Sequence, residues 1–172
     1  KTRKRQRRAG CASTLESLLT MASSAKITVR LARDADFTAW NELYAGYADF
    51  YGVPQTQEMR DRVWSWCHDP SKSTECYVAE TTEGQLVGLA HMRAFERPLA
   101  ASIGGFLDDL YVDEAARGSG AGRALILHLQ SVCDQRGWGV LRWITAPSNE
   151  AARALYDSLA TKTEWLTYDL DV

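Results

Sequence analysis

Two adjacent carboxylates, Asp108 and Asp109, stand in an apolar stretch, FLDDLYV (106–112), and the run Arg117-Gly-Ser-Gly-Ala-Gly-Arg123 follows shortly after. Paired acids on a strand are candidates to take a proton from a reacting group. Neighbours on a strand face opposite sides, so at most one of the two enters a cleft directly. A bulge would change that facing. The glycine run points to an anion. A helix N-terminus leaves backbone N–H groups unpaired and carries partial positive charge. Gly118, Gly120 and Gly122 remove side chains that would shield those groups, and they permit angles other residues resist. Such a turn suits a phosphate or pyrophosphate, with Arg117 adding charge at its lip. Farther on, Asn149 and Tyr156 lie seven residues apart on a helical pattern, two turns, so they share a face.

Several phosphate-binding patterns compete for the glycine turn. A P-loop ends in Gly-Lys-Ser/Thr, and Arg123-Ala124 follows here. A dinucleotide fingerprint needs G-x-G-x-x-G and an acid about 20 positions later, whereas this chain reads G-x-G-x-G. A methyltransferase loop would open a long domain, and only 50 residues follow Gly122. A glycine-rich turn without a ligand is the plain alternative.

The elements that must position these residues follow from periodicity. ITVRL (27–31) alternates as a strand. Asp34 or Asp36 caps a helix in which Phe37, Trp40, Leu43, Tyr44, Tyr47 and Phe50 or Tyr51 recur at three- and four-residue spacing. Gly52 and Pro54 end it. Thr56 starts a second helix with Met59, Val63 and Trp66 on one face. Residues 75–81 and 85–94, joined through Gly84, form a hairpin, and a strand follows within 106–112. The helix 123–136 closes at Gly137. VLRWIT (140–145) is a strand, Ser148 caps a helix over 149–159, and EWLTYDL (164–170) is a last strand. The order is β-α-α-β-β-β-α-β-α-β in one α/β domain, 27–172.

Composition sets the bounds. The 172 residues are 45% hydrophobic, with six Trp and seven Tyr, enough for a real core. Residues 1–26 carry seven Lys/Arg and one Glu; residues 27–172 hold 13 basic and 21 acidic groups, a balance of −8. A basic tail thus precedes an acidic domain. KTRKRQRR reads as a nuclear-targeting or phosphate-binding arm, or as vector-derived or upstream sequence ahead of Met21. Cys11, Cys67, Cys76 and Cys133 form no C-x-x-C pair, and His68, His91 and His128 show no metal-ligand spacing, so no metal is expected. Free thiols suit a reducing, cytoplasmic setting. No apolar run of 18 residues exists, so no membrane span is expected.

A strand, a loop, Arg-Gly-x-Gly-x-Gly and a helix, preceded by Asp-Leu-Tyr-Val, resembles the acetyl-CoA-binding motif of the GNAT superfamily of N-acetyltransferases. The pattern Arg/Gln-x-x-Gly-x-Gly/Ala is matched by Arg117, Gly120 and Gly122. The second motif, Asn-x-x-Ala-x-x-x-Tyr, is matched by Asn149, Ala152 and Tyr156. The finer resemblance is to the histone/polyamine acetyltransferase-like subgroup, through Trp40 to Tyr51, Asp-Leu-Tyr-Val-Asp and Trp143-Ile144-Thr145. One departure stands out: the subgroup's Gly-Phe or Gly-Tyr turn after the tyrosine is absent, which bears on the substrate wall.

The resemblance implies a GNAT fold, a mixed, mostly antiparallel sheet flanked by helices, and an acetyl-CoA cosubstrate. The Leu110 N–H becomes a candidate donor to the thioester oxygen, and Tyr111 and Val112 would pair with the pantetheine arm. Arg117, Gly118, Ser119, Gly120, Ala121, Gly122, Arg123 and Asn149 would hold the cosubstrate. Asp108 or Asp109 would take the amine proton. Tyr156 would protonate the departing thiolate, whose pKa of roughly 8.5 lies below the phenol's ~10. Tyr47, Tyr51 and Trp143 would line the acceptor side. No cysteine lies in either motif, which argues for direct transfer to a primary amine: a polyamine, a lysine-like group, a basic peptide or another amino compound. Relatives often form homodimers. The alternatives are a non-catalytic acyl-CoA-binding module and a nucleic-acid-associated protein acting through its tail.

Overall fold

The computed structural model describes residues 26–172; the basic tail expected over 1–26 lies, apart from Lys26, outside the described residues. Five strands form one sheet in the order β1-β2-β3-β4-β5: β1 Thr28–Leu31, β2 Thr74–Glu80, β3 Leu86–Arg97, β4 Ser102–Val112 and β5 Leu141–Arg142. The first four are antiparallel neighbours, and β5 runs parallel to β4. A parallel neighbour requires a crossover. Helix α3, Ala121–Gln135, supplies it.

Two clusters sandwich the sheet. On one face α1, Phe37–Tyr51, and α2, Gln57–His68, close over Trp40, Leu43, Tyr44, Cys76, Val78 and Leu89. On the other, Leu125, Ile126, Leu129 and Cys133 of α3 bury against Tyr77, Ala79, Ala90, Met92 and Leu107. Leu125 and Leu129 are fully covered, each worth about 1.5–3 kcal/mol of transfer free energy. Helix α4, Glu150–Asp157, joins this side through Leu155 and Tyr156.

Local expectations changed where tertiary partners intervened. The Asp36 carboxylate does not cap α1; it accepts from Arg30 at 2.6 and 3.0 Å and, closing the short turn Asp34–Asp36, from the Arg33 N–H at 2.7 Å. In α2 the packed face is Val63, Trp64 and Cys67, while Met59 and Trp66 are exposed, because the helix docks on β2 through its 63/64/67 stripe. Thr56 caps it as expected, accepting from the Met59 N–H. Asn149, not Ser148, caps α4, accepting from the Ala152 N–H at 3.4 Å. Asn149 therefore precedes the helix instead of sharing its face with Tyr156.

The strand expected over 140–145 shrinks to two residues, because only Gly105–Leu141 and Phe106–Arg142 pair with β4. The strand expected over 164–170 does not form; residues 161–172 carry no regular structure, and Trp165, Leu166, Tyr168 and Leu170 are exposed. A strand exists only as half of a ladder, and a two-residue edge is too short to template one.

Beyond Phe106 the strand β4 therefore continues alone on its β5 side, leaving a gap there. Its other side is held tightly. A Cβ added at Gly88 of β3 would lie 2.8 Å from the backbone oxygen of Tyr111, and backbone cannot swing aside as a side chain can. Gly88→Ala should destabilise the fold by about 1–3 kcal/mol, in the range of an overpacked core. Urea denaturation checks this; an unchanged midpoint would mean that β3 and β4 separate freely at this point.

Candidate active site

The register of β3 with β4 slips by one residue: His91 pairs with Asp109 and Met92 with Leu107, leaving Asp108 as a bulge. The facing of side chains along β4 reverses across it. Gly105 and Leu107 lie on the α3 face, and so do Leu110 and Val112. Asp108 and Asp109 consequently project on the same side, towards α1, and not on the opposite sides expected of strand neighbours. Asp109 meets His91, and Asp108 meets Arg93 two residues further along β3.

The bulge also sets where the backbone points. Gly105 N–H donates across to Val140 on the β5 side, and Asp113 N–H donates to Val87 on the β3 side. Backbone groups alternate along a strand. Counting back from Asp113, the N–H groups of Val112 and Leu110 point into the gap. With no bulge, the alternation started by Gly105 would turn Leu110 towards β3.

The two carboxylates have different surroundings. Asp109 accepts from His91 Nδ1 at 2.8 Å and from the Tyr44 hydroxyl at 3.2 Å. Burial pushes its carboxyl up, but the bonds from His91, Tyr47 and Tyr44 outweigh burial and hold it below the usual range. At Asp108 burial raises the carboxyl against the pull of Arg93, 3.1 Å away. Divergent environments of this kind separate a stable anion from a proton acceptor.

Behind Asp109, Trp40 Nε1 donates to His91 Nε2 at 3.1 Å. Burial disfavours an imidazolium at His91, whereas Asp109 and Cys67 favour one. The Trp40 indole decides between them, because it only donates and so requires a bare Nε2. The neutral ring thus gives its Nδ1 proton to Asp109. Burial also raises the phenols of Tyr44 and Tyr47, as does the Asp109 charge, so both stay protonated donors.

At the glycine turn, Gly118 and Gly120 hold φ of 83° and 88°, which L side chains resist. Gly122 has a different reason: a Cβ there would sit 3.3 Å from Leu155 of α4. Ser119 Oγ accepts from the Ala121 N–H at 3.4 Å, a long contact. The first-turn N–H groups of Gly122 and Arg123 have no intrahelical acceptor. The Arg123 guanidinium is turned away to Ser158 Oγ at 2.7 Å, so its backbone is what it offers to the turn. Arg117 stacks 5.5 Å over Phe50 and lies 3.6 Å from Glu114.

The mouth of the gap is aromatic. Tyr47 lies 5.1 Å from Tyr51 and 6.0 Å from Tyr111, and Asn149 Nδ2 donates to the Tyr51 hydroxyl at 3.4 Å. Tyr156 packs edge-on to Trp143 at 5.3 Å, and its hydroxyl makes no hydrogen bond among the described residues. Burial, then the neighbouring Tyr51, pushes that phenol up to about 12. Thr145, past β5, holds a buried Oγ1 without a partner. Asp108, Asp109, Leu110 and Val112 thus sit along the open edge of β4, with Tyr47, Tyr51, Tyr111 and Asn149 grouped together, while the Arg123 side chain turns away. His91, Arg93, Tyr44 and Trp40 were missed as parts of the site. The signal was a polar residue, His91, on the buried face of LVGLAHMRA, but its partner depends on register. No cluster that would hold a metal occurs among the described residues. A hollow of about 580 Å³ beside Leu127, Asp134 and Trp138 contains none of these groups.

The profile of the Acetyltransferase (GNAT) family matches residues 40–160. A D-amino-acid N-acetyltransferase of Saccharomyces cerevisiae is 30% identical over 144 residues, 83% of this chain and 89% of that protein. A phosphinothricin N-acetyltransferase of Alcaligenes faecalis is 33% identical over 117 residues, 64% of this chain and 57% of the relative. In structure, the ribosomal-protein-alanine N-acetyltransferase from Brucella melitensis biovar Abortus 2308 shares the fold at a TM-score of 0.74 and 24% identity, covering 86% of this chain and 100% of its own. The family match and these relatives make this protein an acetyl-transferring enzyme. The chain belongs to the GNAT family.

The Asp109 network carries a pH signature. A carboxyl held below its unfolded value contributes stability that is present above about pH 4 and is lost as pH falls through the folded value. Asp109→Asn should cost about 1–3 kcal/mol at pH 7, from buried donors left short of an acceptor. The difference from wild type should narrow below pH 4. Urea titrations at pH 7 and pH 3 measure it, and equal differences at both would show that Asp109 is not ionised in the folded protein.

Proposed function

We propose that the protein transfers an acetyl group from acetyl-CoA directly to the primary amine of a small molecule. The observation that carries this reading is the Asp108 bulge, which sends the Leu110 N–H into the gap and sets two unlike carboxylates beside it. The gap suits the cosubstrate. Leu110 and Val112 offer unpaired N–H groups on one wall, Thr145 an orphaned hydroxyl on the other, and the glycine turn an anion site at the end.

Acetyl-CoA supplies an activated thioester, and the chain's residues act around it. Leu110 N–H stabilises the carbonyl oxygen as it gains charge. Asp108, with its raised carboxyl, accepts the amine proton directly or through a water as the N–C bond forms. Asp109 stays ionised and braces the bulge. Tyr156 remains protonated throughout the neutral range. Its raised pKa widens the gap to a thiolate near ~8.5, so it works by hydrogen-bonding the sulfur while the C–S bond breaks. Arg117, Gly118, Ser119, Gly120, Ala121, Gly122, Arg123 and Asn149 hold the cosubstrate, Tyr111 and Val112 line its arm, and Tyr47, Tyr51 and Trp143 face the acceptor.

Direct transfer needs no thiol. Cys67 carries a free thiol. That thiol packs in the Trp40 cluster and not in the gap. Membership of the histone/polyamine-like subgroup is part of the same proposal, resting on Trp40 to Tyr51 and Trp143-Ile144-Thr145. The relatives named for D-amino acids and phosphinothricin favour a small acceptor over a basic peptide. Free Cys67, Cys76 and Cys133 suit a cytoplasmic setting.

CoA release from acetyl-CoA against spermidine, lysine, a D-amino acid, an aminoglycoside and a basic peptide tests the reading, after correction for the protein's four thiols. Turnover with one class is expected; acetyl-CoA binding with no turnover would favour the non-catalytic module. Tyr156→Phe should lower kcat by about 100-fold, the lower end for removing one donor to a developing negative charge, with little change in acetyl-CoA affinity. Equal kcat in mutant and wild type from pH 6 to 9 would remove Tyr156 from the mechanism.

A further inference from the structure

Where β4 and β5 part, the α1-side face of the sheet carries four residues that belong to neither core cluster: Arg93, Phe95, Phe106 and Arg142. Arg93 and Phe106 are partners across β3 and β4, and Phe106 and Arg142 across β4 and β5, so all three side chains emerge on the same face. The rings of Phe95 and Phe106 meet edge-on at 6.1 Å. Each ring carries a guanidinium, Arg93 at 4.8 Å over Phe106 and Arg142 at 5.4 Å over Phe95. Arg93 is matched by Asp108. Arg142 is exposed and has no acidic partner among the described residues.

We propose that Arg142, seconded by Arg93, binds the carboxylate of an amino-acid acceptor whose side chain rests on Phe95 and Phe106. The inference rests on the acetyl-transfer reading and names the substrate class of the same site. A guanidinium laid on a ring is held in place, and its planar fork matches a carboxylate with two parallel bonds. Asp108 lies two residues beyond Phe106, about 7 Å along the strand. An α-amino acid lying over Phe106 offers its amine towards Asp108 and its carboxylate back towards the guanidinium groups. The anion here is not the cosubstrate's pyrophosphate. The glycine turn follows Val112, and Phe106 lies about 20 Å back along β4 from that end. The acidic balance of the domain does not describe this end of the face, where Arg93 and Arg142 stand beside Asp108 while Asp109 is bound to His91 and Tyr44.

The test compares phenylalanine, as both enantiomers, with phenylalaninamide and 2-phenylethylamine, which keep the ring and the amine and lack the carboxylate. In the wild type, kcat/KM for one or both phenylalanine enantiomers should exceed that for the amide by about 10-fold or more, the worth of a charge-assisted pair. Arg142→Gln should lower the acid-to-amide ratio by about 10- to 100-fold, mainly through KM. Arg142→Lys, which keeps charge and loses the fork, should restore part of it. Turnover of the amide in each variant shows that the protein is folded, so a fallen ratio is not a fallen structure. If the amide or the plain amine is as good as the acid, or if the ratio survives Arg142→Gln, the carboxylate site is wrong and acetyl transfer stands. If neither these compounds nor the earlier panel releases CoA, both readings fall.

Discussion

One extra residue in β4 governs the geometry of the rest. A strand alternates both its side chains and its backbone groups, so a single inserted residue inverts both patterns beyond it. Here the inversion at Asp108 does two things together. It turns the N–H groups of Leu110 and Val112 into the gap, and it places Asp108 and Asp109 on the same face of the sheet. Neither effect is available separately. A regular strand would give one carboxylate on that face and a backbone turned towards β3. The gap itself also depends on this point, since β5 pairs only as far as Phe106, two residues before the bulge.

A bulge leaves a local break in the ladder, and something must hold it in register. Asp109 does this through donors from two elements. Tyr44 comes from α1 and His91 from β3, and Trp40 fixes the tautomer of His91 in turn. Burying a carboxylate is costly unless it is fully hydrogen-bonded. The aromatic first helix is therefore more than core. Trp40 and Tyr44 stack at 5.1 Å as packing residues while their polar ends serve the carboxylate. With Asp109 committed to structure, Asp108 is left as the carboxylate whose surroundings, burial above all, favour taking up a proton. The division of labour follows from surroundings, because the two side chains are chemically identical.

The order of elements was legible because helices and long strands announce themselves by period. Phe37–Tyr51 buries Trp40, Leu43 and Tyr44 of the expected stripe, while Phe50 and Tyr51 at its end are exposed, and the glycine turn was visible as a strand handing over to a helix. What was not legible depends on partners distant in sequence. The VLRWIT stretch alternates as well as any strand, yet only two residues pair, since the neighbouring strand diverges. EWLTYDL likewise has a strand's composition and no ladder to join. The face of α2 was misassigned because Trp64 and Trp66 are equally apolar, and only docking on β2 selects Trp64. The same-side placement of Asp108 and Asp109 needed the register of β3, which no local pattern supplies.

The three glycines show how little a shared residue type says about shared purpose. Gly118 and Gly120 answer a backbone demand, with positive φ and open space where a side chain would sit. Gly122 has ordinary angles and answers a packing demand, the approach of Leu155. That contact joins the first turn of α3 to α4, one residue before Tyr156. The Arg123 bond to Ser158 closes the same junction from the other side of the tyrosine. The first turn of α3, the anion site of the proposed function, and the helix that carries the phenol are thus fastened at two points around Tyr156. The glycine turn and the helix wall that holds the phenol are therefore tied into one frame.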